Sequence, residues 1–121
     1  MRLEIRVAES IDEWTSRSLE HARRVDAGED VDPLCEVGFE TMGQFGEVFT
    51  PKRFELVEHL KTTGPLTIYA LAKQLARHYR NVHKDVTALI EWMVIEKNES
   101  GKVFVPWDEI DVRWPLVRHA A

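Results

Sequence analysis

The residues best equipped for chemistry fall between positions 77 and 87, where Arg77, Arg80, Asn81, Lys84 and Thr87 recur at helical spacing. At about 100° per residue, the apolar stripe Val82, Val86, Leu89 and Met93 turns one side inward and sends those five outward together, with His83 at the margin. Arg and Lys can donate to guanine O6 and N7, Asn can pair bidentately with adenine, and Thr can meet a thymine methyl, all in the major groove of duplex DNA. Lys52 and Arg53 on a preceding helix, Lys73 on a second, and Lys97 and Lys102 around a later turn add cations suited to phosphate. Asp85 runs against the pattern, since a carboxylate repels phosphate. It is expected to pair with Arg77, Lys73 or another basic side chain and hold the turn in place. A cationic helix face is by default merely solvated, so the case depends on the elements that position it.

Other chemistries fit poorly. His78 and His83 are five residues apart, so on a helix they diverge by roughly 140° and cannot share an ion; no metal site is expected. His83 stands near Asp85 without a Ser or Cys nucleophile in a credible motif, and neither a phosphate-binding loop nor a dinucleotide fingerprint occurs. The reading is therefore of a non-enzyme that needs no cofactor, with His83 hydrogen-bonding phosphate or a neighbour. Cys35 is the single cysteine, read as a small buried hydrophobe. The formal net charge of -5 hides an asymmetry: residues 1–49 carry five basic and twelve acidic side chains, residues 50–97 eight and five, and the remainder three and four. The basic island coincides with the candidate reading helix. The longest uncharged run, 62–72, is far short of the roughly 20 apolar residues of a membrane helix. The opening alternation of charged and apolar residues is unlike a secretion signal, so a cytoplasmic location is expected.

At 121 residues the chain has room for one domain, read as α+β and mainly α. Leu3, Ile5 and Val7 alternate with charged residues as in a strand with one buried face, and Ser10 with Glu13 forms a capping box that opens a helix reaching about Ala27, with Gly28 as its stop. That helix has only a loose stripe of Ile11, Trp14, Leu19, Ala22 and Val25. A short strand at 37–39 and a short helical passage through Met42, Phe45 and Val48 follow. Thr50 and Pro51 start a clear helix with Phe54, Leu56, Val57 and Leu60 on its buried side, ending at Gly64. Thr67 caps a second, carrying Ile68, Leu71, Ala72 and Leu75. After a turn at 76–78 the third runs to about Trp92 or Met93, with Ile90 joining its apolar side. The polar turn 97–101 and Val103, Phe104 and Val105 form a hairpin; Ile110, Val112 and Trp114 suggest a last strand before a basic end at Arg118 and His119. Helix, helix, helix, hairpin is the order of a winged helix-turn-helix. The expected organisation is an extension over 1–49, that domain over 50–110 and a strand or tail over 111–121.

The segments 50–53, 64–68 with Leu71 and Ala72, 79–86 and 105–110 resemble a family of prokaryotic winged-helix DNA-binding proteins, similar in the core to MarR-type regulators, the run from Asn81 to Val86 being the most specific part. The resemblance implies a transcriptional regulator, some relatives resembling antitoxins, with Tyr79 to Thr87 as the reader; Thr67, at the cap of the second helix, joins the candidate contacts. Glu91, Trp92 and Met93 depart from the small, Gly-containing helix exit of such relatives. The expected activity is sequence-specific binding of double-stranded DNA, as a repressor. Trp92 and Trp107 are read as core, while Trp14 and the first strand are candidates for completion by an identical subunit, giving a homodimer. The alternative is an interaction module whose acidic first 49 residues dock a basic partner such as a toxin.

Overall fold

The computed structural model describes residues 1–33 and 35–117; the expected basic end at Arg118 and His119 lies outside the described residues. The fold is α+β and about half helical, in the order β1 (Arg2–Val7), α1 (Ile11–Asp26), β2 (Glu36–Phe39), α2 (Met42–Val48), α3 (Pro51–Thr63), α4 (Ile68–Leu75), α5 (Tyr79–Glu91), β3 (Glu96–Lys97), β4 (Val103–Phe104) and β5 (Glu109–Arg113). Local chemistry sets most of these boundaries. The Ser10, Thr41, Thr50 and Thr67 hydroxyls each accept from a backbone N–H three residues on, satisfying amides that an α-helix start leaves unpaired. Gly64 at φ 82° terminates α3, and α4 ends on Ala76 in the left-handed region at φ 54°.

β1 is the middle strand of a three-stranded sheet in the order β2-β1-β5, parallel to both neighbours. Both of its edges are filled from within the chain, which corrects the expectation that an identical subunit would complete it. Leu3 lies opposite Ile110, and Ile5 opposite Val37 and Val112. One face of the sheet thus carries Leu3, Ile5 and Val7, all fully buried. Parallel strands are usually apolar on both sides, but here the second face is ionic, which explains the two-residue alternation of β1. Arg17 of α1 reaches down to Glu9 and Glu36, both at 2.5 Å, and Arg6 bonds Glu4 at 2.8 Å. The Glu9 hydrogen bond, with help from Glu36, holds the Arg17 guanidinium well above its ordinary pKa despite partial burial. α1 therefore sits on the sheet through charge and buries no residue of its own; Ile11, Trp14, Leu19 and Val25 remain exposed.

The buried face of the sheet joins the helices in one core that includes Phe39, Phe49, Leu56, Leu60, Leu71, Val82, Val86, Leu89, Val94, Ile95, Val103 and Trp107. Cys35 is only half-buried at its rim. Three expected core positions are corrected. Phe54, Ile90 and Met93 lie outside the buried core, each a third to a half exposed, because Leu56 with Leu60, and Val82 with Val86 and Leu89, already fill the inward sides of α3 and α5. Trp92 is half-buried with its ring stacked 4.1 Å from that of Phe39. The last strand stops at Arg113, leaving Trp114 outside it and half exposed.

β3 and β4 form an antiparallel hairpin, and Leu66 bridges to Val103 through two backbone hydrogen bonds of 2.8 and 3.1 Å, fastening the α3–α4 connection to the hairpin. Between α5 and β3 the chain turns on Met93, a non-glycine residue at φ 66°. The Met93 carbonyl accepts the buried Trp107 indole N–H at 2.8 Å, fixing the turn from the far side.

Candidate nucleic-acid interface

α5 displays its cationic side because its reverse side is fully committed. Val82, Val86 and Leu89 are completely buried, so Arg80, Lys84 and Thr87 project away from the core at one-turn intervals, flanked by Asn81 and His83. All five are exposed. The helix opens on His78, whose Nδ1 accepts from the Arg80 backbone N–H at 3.1 Å. Histidine is outside the usual N-cap set, and for that reason sequence reasoning missed this role. The Tyr79 ring lies 5.8 Å from that of His83, one turn on. The Thr87 hydroxyl donates to the His83 carbonyl at 2.8 Å. Glu91 is exposed at the end of the same stripe, so the cationic character belongs to the first turns of α5.

Arg53 and Arg77 do not belong to the outward face, contrary to expectation. The Arg53 Nε donates to Asp85 at 3.0 Å and its Nη1 to the Val48 carbonyl at 2.7 Å; the Arg77 Nη2 donates to the other Asp85 oxygen at 2.6 Å. All three side chains are shielded, with 12, 16 and 13% of their surfaces exposed for Arg53, Arg77 and Asp85. The physical reason is that Arg77 precedes the helix and follows the left-handed turn at Ala76, so the periodicity of α5 does not govern its direction. Asp85 has the structural part expected of it and ties the starts of α3 and α5 together. One guanidinium nitrogen, Arg77 Nη1, is buried without a hydrogen-bond partner.

The remaining candidates stand on other elements. Lys52 is exposed in the first turn of α3 and Lys73 in the last turn of α4; the Thr67 hydroxyl is engaged as the α4 cap, accepting from the Ala70 N–H at 3.1 Å. Lys97 and Lys102 are exposed on either side of the hairpin turn. That turn is held by the Asn98 N–H donating to the Lys102 carbonyl at 2.8 Å, the Lys102 N–H donating to the Asn98 Oδ1 at 3.0 Å, and Gly101 at φ 79°. Among the described residues no group of three His, Cys, Asp or Glu could hold a metal ion, and no helix is long and apolar enough to cross a membrane.

A family model, HVO_A0114, matches residues 48–112, a span from the end of α2 through nearly all of β5. Neither the curated proteins nor the solved structures contain a match to the chain.

Proposed function

We propose, starting from the fact that the chain belongs to the HVO_A0114 family, that it is a winged helix-turn-helix protein binding double-stranded DNA in a sequence-specific manner to regulate transcription, as a repressor that occupies its operator. In this reading α4 and α5 are the helix-turn-helix, α3 supports them, and the β3–β4 hairpin is the wing. The observation that carries it is the exposed row Arg80, Lys84 and Thr87, with Asn81 beside it, on a helix whose opposite side is wholly buried. Its donors match base edges, while Lys52, Lys73, Lys97 and Lys102 supply phosphate contacts that fix register without reading sequence. Arg53 and Arg77 have no direct part, since their guanidiniums are spent on Asp85.

The test is titration of labelled random duplex, and of the DNA upstream of the protein's own gene, at stepped salt concentrations. Binding to both at low salt, with affinity for random duplex falling steeply as salt rises and the upstream site held more tightly, supports the reading. Absence of DNA binding at low salt refutes it.

One observation favours a second role. Ile11, Trp14, Leu19 and Val25 lie exposed on α1 within the acidic first 49 residues, as an adaptor for a basic protein partner, such as a toxin, would need. A co-purifying partner released by changes at Trp14 and Leu19 would identify that role.

A further inference from the structure

The outer edge of β5 is an unfilled template. β5 pairs with β1 on one side, and among the described residues no strand lies on the other, although open edges of this kind are normally blunted or covered. On the face shared with Leu3 and Ile5, β5 carries Ile110 and Val112, and Val112 is 43% exposed beside the open edge. On the opposite face it carries Glu109, Asp111 and Arg113. Four of the five residues Glu-Ile-Asp-Val-Arg are complementary to their own reversed copy, with Asp111 at the centre facing itself.

We propose that a second copy of this chain pairs antiparallel with β5 about a two-fold axis at Asp111, joining two three-stranded sheets into one of six. In that register Glu109 meets Arg113 of the partner twice, and Ile110 meets Val112 of the partner twice, so charges and apolar side chains are both matched on their proper faces. Each Asp111 keeps its own Arg113 at 3.4 Å, which neutralises the pair of carboxylates brought together on the axis. Moving the axis to Ile110 sets Glu109 against Asp111, and moving it to Val112 sets Glu109 against Pro115 and uses Trp114, which lies outside the strand. The axis at Asp111 is therefore the one that gives four of the five residues complementary partners and leaves the fifth, Asp111, to its own Arg113. The proposal is independent of the DNA reading, since it draws on none of the residues of α5.

Sedimentation and light scattering of the full chain at tens of micromolar decide it. The expected species has twice the 14.1 kDa mass of one chain. Val112→Lys, which places a charge on the pairing edge, is expected to give a monomer with unchanged circular dichroism. Glu109→Arg and Arg113→Glu are each expected to weaken dimerisation at least about tenfold, because symmetry repeats each mismatch, and the double swap to restore it. A wild-type monomer, a dimer indifferent to Val112→Lys or to Glu109→Arg, or single swaps that the double swap does not rescue would overturn the proposal. So would a dimer broken instead by changes at Trp14 and Leu19.

Discussion

Removing the Asp85 carboxylate tests how the candidate reading helix is anchored. In the native fold two guanidiniums converge on it from different segments, and all three side chains are more than four-fifths buried. Asp85→Ala leaves Arg53 with the Val48 carbonyl and Arg77 with no partner anion. Breaking a buried pair costs roughly 3–5 kcal/mol, and the residual solvent access lowers the expectation to about 2–4 kcal/mol. Against a total stability of about 5–15 kcal/mol that is a large fraction. With a urea m-value of about 1.5 kcal/mol/M, the midpoint should fall by about 1.3–2.7 M. Asp85→Asn, which keeps one acceptor oxygen, should lose less. Urea unfolding followed by tryptophan fluorescence measures all of these. The double variant Arg53→Met with Asp85→Ala should be less damaging than the sum of the singles, because it removes one of the stranded charges. A loss under about 0.5 kcal/mol for Asp85→Ala, or full additivity in the double variant, would refute the view that the triad anchors α5.

Three further outcomes are expected. Arg80→Ala should weaken specific DNA binding by about 1–3 kcal/mol while changing random duplex less, and Lys52→Ala should weaken all sequences alike; competition binding with specific and random duplexes separates the two. Met93→Gly should change stability by less than about 1 kcal/mol in thermal or urea unfolding, since relief of the left-handed conformation at φ 66° is offset by the entropy of glycine and by the loss of a half-buried side chain. Ile5→Ala should cost about 2–5 kcal/mol in a single cooperative transition, because Ile5 is fully buried in the same core as α3 to α5; a separate early transition would contradict that unity.

The legible parts were those encoded locally. Ser10, Thr50 with Pro51, Thr67 and Gly64 announce helix ends through chemistry within a few residues, and the period of Val82, Val86 and Leu89 orients α5. Partnerships between distant segments leave no such mark. Nothing near Leu3 says that its neighbours are β2 and β5, because a strand's alternation reports one buried face without naming what lies alongside. The loose stripe of α1 became intelligible only with Arg17, whose contacts with Glu9 and Glu36 replace an apolar seat. Arg53 and Arg77 misled for a related reason, as a basic residue near a helix end looks the same whether it faces solvent or a carboxylate 32 residues away.

The pairing of β1 with β5 also dictates an order of events during synthesis. Strands whose residues are roughly a hundred positions apart can meet only once β5 and everything between them has emerged, and such distant closures are the slow steps of folding. The segment from α3 to the hairpin can collapse on its own neighbours first, while β1, made before that segment, waits for its second companion. On the ribosome the N-terminal strand is thus a long-lived exposed edge, and its alternating arginines and glutamates guard it against pairing with the wrong chain in the interval.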